Sequence, residues 1–355
     1  MDFEYDDDVD ERTIDQFAQI IKNHPFEDDD IRNVYRLLVE GKDPVVLHDM
    51  FAFDFRESDI RDSRITRLCK SFDNHIFRIQ FLNGSVFVVR LNSERSYLTE
   101  IEIINAAAGV GVEVPRSYFS HSAGIDIGKH TYYAMIQEHI EGKDFLYAVK
   151  HGLISTSDKE VILEEMGKRL RLIHSVTHID GQEQEDLRAG FFSDALDLLN
   201  NERKTIIENG ISTLEDFEDL YSKLDSLRDA AEIFGGQAIG LTHNDFHPKH
   251  VILNLDAGRP VIRAIIDWGA AEFTNTFFDF ALWDYWCGED FLVDSLMESY
   301  GMEVFSSAES KVIVEITTIT SLINILCKYS QSPDLKASQL GIWQRLRHEV
   351  QQATY

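Results

Sequence analysis

The sequence predicts an α+β protein of two lobes, a small β-rich one followed by a larger, mainly helical one. Three observations predict it. At 355 residues the chain is too long for one small core and long enough for two. Between about residues 65 and 140 its apolar residues alternate in short runs, and after Gly142 the spacing becomes helical. No internal repeat or low-complexity linker interrupts it. The expected divisions are an acidic N-terminal extension over 1–62, a β-rich lobe over 63–140 and a helical lobe over 141–355.

The extension carries two helical spacings, Thr13 to Lys22 and Asp30 to Glu40. Two alternating runs then flank Asn83-Gly84, the strongest short-range hairpin signal, because both residues tolerate the positive φ of a tight primed turn. A helix from Tyr97 to Ala108 and an extended run from Thr131 to Ile136 complete this lobe. In the second lobe Ser157 and Glu160 read as a capping box, and Ile162, Met166, Leu170 and Ile173 form one apolar stripe ending at His174. Acidic helices follow over 190–233 and end at Gly235-Gly236. A second hairpin joins Val251–Leu255 to Val261–Asp267, and the aromatic cluster from Phe277 to Trp286 reads as core.

Composition narrows the function classes. The net charge of -28 excludes the clustered positive face that nucleic acids need. Most of it sits in two segments: residues 1–62 hold 19 acids against 7 bases, and residues 180–235 hold 15 against 5. These acids either solvate the surface or form an anionic wall for a cationic substrate. The most apolar segment, Val312 to Cys327, is broken by Glu315, so no membrane span is expected. The start MDFEYDDDVD lacks the pattern of a secretory signal, and three distant cysteines suggest neither disulfides nor zinc. A cytoplasmic location is expected.

The densest polar constellation is LTHNDFHPKHVILN over 241–254, closely followed by AIIDWGAAEF over 264–273. Phosphoryl transfer needs a carboxylate near the acceptor hydroxyl, ligands for a divalent ion and a cation on the nucleotide. Asp245, His250 and Asp267 supply the first two. The hairpin sets His250 just before one strand and Asp267 at the end of its partner, so both can converge on one ion.

The runs HNDFHPKHVIL and IIDW resemble the catalytic loop and metal-binding aspartate of the aminoglycoside phosphotransferase family, whose members share the protein-kinase fold. The likeness spans about residues 65–300. It implies that Asp245 orients or deprotonates the hydroxyl, that His250 and Asp267 hold Mg2+, and that His243, His247 and Asp279 (in FFDFALW) support the loop. It further implies nucleotide binding, ATP or GTP, by Arg90 (VVRL), its partner Glu100 (LTEIEII) and the hinge residues Gln137, Glu138 and His139. RLIHSV resembles the helix that ends in Leu-His. Three departures stand out. His250 replaces the usual asparagine, as in macrolide phosphotransferases; Asn244 replaces glycine; and Arg90 replaces lysine, which still allows a bidentate grip.

The implied function is O-phosphorylation of a small molecule: an antibiotic of aminoglycoside or macrolide type, or a sugar or amino-alcohol metabolite. Two other classes remain open from the residues. One is a metal-dependent hydrolase using His243, Asp245, His247 and His250. The other is a nucleotide-binding pseudokinase.

Overall fold

In the computed structural model the described residues are 31–35, 61–70, 74–93, 97–127, 130–179, 191–229, 231, 239–256, 258–287, 291, 293–301, 308–330 and 336–353. The helix expected over Thr13 to Lys22 and the Gly235-Gly236 pair lie outside them. The chain divides into two compact units, Met1–Asn105 with Val114–Glu141, and Ala106–Glu113 with Gly142–Tyr355.

Unit 1 is an antiparallel sheet in the order β1-β2-β3-β5-β4. Its strands are β1 (Arg64–Lys70), β2 (Asn74–Gln80), β3 (Val86–Asn92), β4 (Ser117–Ile127) and β5 (His130–Glu138), and helix α1 (Leu98–Gly109) follows β3. Phe77, Ile79, Phe87, Val89 and Leu91 alternate along β2 and β3 and bury one face. Residues 31–35 are helical, and Ile31, Val34 and Tyr35 sit fully buried in that core, so part of the expected extension packs into the unit.

The β2–β3 turn differs from the primed turn expected at Asn83-Gly84. Gly84 alone takes positive φ, at 91°. The Gly84 amide donates to Phe81 O at 3.0 Å and the Phe81 amide to Ser85 O at 2.9 Å, while Asn83 Oδ1 accepts from the Ser85 amide. This is the three-residue type I loop closed by a left-handed glycine.

Unit 2 begins with β6 (Lys143–Asp144), α2 (Phe145–Lys150), α3 (Thr156–His174), α4 (Phe191–Glu208) and α5 (Leu214–Ser226). Then come β7 (Ile239–Thr242), β8 (Val251–Asn254), β9 (Val261–Ile265) and β10 (Glu272–Asn275), followed by α6 (Phe277–Cys287), α7 (Val293–Gly301), α8 (Ala308–Ser330) and α9 (Lys336–Gln352). The capping box of α3 lies two residues earlier than expected. Ser155 is the cap and Asp158 its reciprocal partner, because a carboxylate serves at that position as a glutamate would. The stripe Ile162, Met166, Leu170 and Ile173 is buried as expected. Gly167 lets α7 approach closely, since a Cβ there would meet Leu296 O at 2.6 Å.

By length and composition alone, Ser310–Ser330 of α8 is apolar enough to cross a membrane, contrary to expectation, and 61% of its window is buried inside the protein. Ile316, Ile319, Leu322, Ile323 and Leu326 pack there with Leu196, Leu199, Leu220 and Trp343 from α4, α5 and α9. A core helix passes the same test.

Candidate active site

Two antiparallel pairs bring the two motif loops to one end of the strands. β7 pairs with β10 so that Thr242 faces Glu272, and β8 pairs with β9 so that Val251 faces Ile265. The loop 243–250 therefore runs from β7 to β8, and the loop 266–271 from β9 to β10. They are stitched directly: the Ile266 amide donates to His250 O at 2.9 Å, and His243 Nε2 donates to Ile266 O at 3.0 Å.

Asp279, fully buried near the start of α6, holds the loop from below. Its Oδ2 accepts from the His243 amide at 2.9 Å and its Oδ1 from the Asn244 amide at 2.7 Å. His174 Nε2, at the end of α3, donates to Oδ2 at 3.0 Å, and Tyr300 OH lies 3.0 Å from His174 Nδ1. Phe246 packs against Trp283 of α6, ring centroids 5.8 Å apart.

Asn244 and Asp267 are the described non-glycine residues at positive φ, 57° and 64°. The first value explains why a glycine can stand at that place in the resembling family, and why asparagine, which tolerates the left-handed region, substitutes for it. Asn244 Nδ2 also donates to Glu272 Oε1 at 2.8 Å. Asn244→Ala is therefore expected to cost about 1–2 kcal/mol, and Asn244→Gly much less, as read from the midpoint of denaturant unfolding.

His250 stands between the two carboxylates. Its Nδ1 donates to the backbone carbonyl of Asp245 at 2.8 Å, which fixes the tautomer and leaves the Nε2 lone pair directed outward. Nε2 lies 3.5 Å from Asp267 Oδ2, and Nδ1 lies 3.6 Å from Asp245 Oδ2. Two ligands of one ion at bond lengths of about 2.1 Å stand roughly 3 Å apart at right angles, so His250 and Asp267 fit a shared divalent ion. Burial raises the Asp245 carboxyl above the usual carboxylate range, opposed by the His250 and His243 imidazoles.

His247 Nδ1 accepts from the Lys249 amide at 3.2 Å, so its Nε2 carries the proton, facing Asp245 Oδ1 at 3.6 Å. Burial, with the neighbouring imidazoles and Lys249, pushes its basicity down to about 2. His243 is fully buried, and that burial likewise lowers its pKa. Asp245, His247 and His250 do come within 4.8 Å of one another. Yet His247 has its lone pair committed to the backbone, and His243 spends Nε2 on Ile266 O. The buried Nδ1 of His243 has no hydrogen-bond partner, but His243 stands outside the group that clusters within 4.8 Å, so the four-residue hydrolase shell does not converge on one point.

In unit 1, Arg90 Nη1 pairs with Glu100 Oε1, both side chains under a tenth exposed, and the guanidinium lies 5.3 Å from the Tyr97 ring centroid. Gln137 is buried and donates to Ser117 Oγ at 3.3 Å. Glu138 is exposed, its amide donating to Arg116 O and its Oε2 accepting from the Arg116 amide. Burial, then the Arg78 charge, lowers the pKa of His139. Burial raises the pKa of the Cys287 thiol.

Sequence reasoning missed Glu272, whose carbonyl also accepts from Thr242 Oγ1 at 2.9 Å, and it missed Tyr300. The first lies inside the quoted AAEF run and could have been weighed; the second has no local signal.

A proton acceptor beside two groups that can share a divalent ion is what phosphoryl transfer asks of a protein, and the architecture is that of the kinase-like phosphotransferases. The GDP complex of wild-type aminoglycoside 2'-phosphotransferase-IIIa shares this fold with a TM-score of 0.59 at 15% identity, over 86% of this chain and 99% of that one. Spectinomycin phosphotransferase with ADP and spectinomycin gives 0.54 at 14% identity, over 92% and 98%. An amicoumacin kinase with AMP-PNP and Ca2+ gives 0.52 at 13%, over 86% and 92%. The chain belongs to the phosphotransferase enzyme family, whose sequence model matches residues 64–309. None of the curated proteins matches it.

Proposed function

We propose that this enzyme moves the terminal phosphoryl group of ATP or GTP onto a hydroxyl of a small molecule. The acceptor is an antibiotic of aminoglycoside or macrolide type, or a sugar or amino alcohol. The observation that carries the reading is the His250 imidazole set between two carboxylates, its lone pair 3.5 Å from Asp267 Oδ2. Asp245 accepts the hydroxyl proton as the oxygen bonds to phosphorus and the bridging P–O bond to the nucleoside diphosphate breaks. His250 and Asp267 would hold a divalent ion, Mg2+ as carried on the nucleotide, and the ion would neutralise charge on the transferring group. Asp279, through the His243 and Asn244 amides, keeps Asp245 in place. Among the described residues Cys287 and Cys327 are free thiols, and these with the nucleotide donor fit the cytoplasm.

Arg90 receives the nucleotide phosphates while Glu100 orients it. Arg90→Ala should raise the nucleotide KM by roughly 10–100-fold, the worth of one or two charged hydrogen bonds, and Arg90→Lys should recover part of that loss in steady-state kinetics.

The acidic helices favour solvation over an anionic wall, because many of their acids are already engaged. Glu218 pairs with Arg203, Glu208 with Lys204, Asp219 with Lys223, Asp225 with Arg228 and Asp216 with Arg347, and Glu202 accepts from Ser330 Oγ. Near the base the charge is mixed: Lys328 acts electrostatically on Asp245, and Asp245 on Tyr329. Neutral or singly charged acceptors therefore belong in the test beside polycations. The test incubates the protein with ATP or GTP, a divalent ion and a panel of aminoglycosides, macrolides, sugars and amino alcohols. Product is read by mass as the gain of one phosphoryl group. Zinc-dependent hydrolysis of panel compounds without nucleotide would instead favour the hydrolase.

A further inference from the structure

The geometry points to a metal site that favours manganese over magnesium, with His250 as the residue that sets the preference. The inference deepens the phosphotransferase reading and rests on it, since it takes His250 and Asp267 as the ligands. The resembling catalytic loops place an asparagine, an oxygen donor, where this chain places an imidazole nitrogen. Magnesium asks for near-octahedral oxygen, whereas imidazole suits softer first-row dications.

The imidazole is built for ligation rather than left to chance. Its Nδ1 proton is held by the Asp245 carbonyl at 2.8 Å, the kind of outer contact that orients a ligating histidine and raises its basicity. The opposite nitrogen faces the Asp267 carboxylate at 3.5 Å. The ring lies against that of His247, tilted by 35° with centroids 3.9 Å apart, which limits its rotation. His247 adds no second nitrogen, because its Nδ1 accepts from the Lys249 amide. One nitrogen among carboxylate and phosphate oxygens matches manganese, which accepts both donor types in octahedral geometry. A tetrahedral zinc site would need more nitrogen or sulfur.

The test uses the full chain with a non-hydrolysable ATP analogue, and with the GTP analogue in a parallel arm. Mn2+ binding is followed by electron paramagnetic resonance, with Mg2+ as competitor and pulsed measurements of nitrogen coupling. The expected result is a directly bonded nitrogen in the wild-type complex. His250→Asn should lose that coupling and shrink the Mn2+/Mg2+ affinity ratio by about tenfold, the scale on which ligand-shell changes act. Asparagine suits the purpose because Nδ2–H can still donate to the Asp245 carbonyl while Oδ1 offers oxygen. The wild-type nitrogen signal needs no variant and stands even if His250→Asn folds poorly. Oxygen couplings alone in the wild type, or an unchanged ratio in a folded His250→Asn protein, would overturn the preference and leave phosphoryl transfer standing. Mn2+ binding that is absent with nucleotide, or equal in Asp267→Ala, would overturn both.

Discussion

Asp245→Asn is expected to lower phosphoryl transfer at saturating substrates by about 10³-fold, within the range for loss of a positioned base, with nucleotide affinity near wild type. The substitution is nearly isosteric and removes the proton acceptor. It leaves the Asp245 backbone carbonyl in place, and that carbonyl, not the carboxylate, fixes the His250 tautomer. Metal ligation by His250 and Asp267 should thus persist. Single-turnover transfer gives the rate, and calorimetry with a non-hydrolysable nucleotide gives the affinity. Turnover near wild type in this variant would remove Asp245 from its role.

Asp279→Asn should be the most destabilising single change near the site, at about 3 kcal/mol or more, the scale for breaking a buried charged hydrogen-bond set. Three donors converge on this carboxylate: the His243 and Asn244 amides and His174 Nε2. An asparagine keeps the shape but turns one acceptor into a donor facing a donor. Urea unfolding measures the loss. Because the loop that carries Asp245 hangs from these amides, kcat should fall even at temperatures where the variant remains folded. A folded variant with unchanged kcat would show that the loop holds its shape without this anchor.

What was legible in the sequence was what neighbouring residues decide. Alternation around Asn83-Gly84 placed β2 and β3, and the stripe from Ile162 to Ile173 placed α3, because each pattern lies within one element. The turn type was not legible: Asn83 caps Ser85 instead of taking positive φ, a choice made by the strands on either side. The capping box slipped by two residues because Ser155-Asp158 and Ser157-Glu160 satisfy one chemical rule, and only packing of the stripe selects between them. The β7–β10 pairing joins two four-residue strands some thirty positions apart, too short to show a period of their own. At the site, the residue types of both loops were legible together with their spacing. The tautomers of His243, His247 and His250 were not, because each follows from the partner that the folded backbone supplies. The Asp279 to His174 contact spans 105 positions, and nothing local announces it.

The hydrogen bonds described for the two loops come from β7, β10, α6 and from the loops themselves, while α4, α5 and α9 pack around α8, with Leu282 and Tyr285 of α6 against the same core. Substitutions on the solvent-facing sides of α4, α5 and α9 therefore leave the hydrogen bonds that hold Asp245 and His250 unchanged.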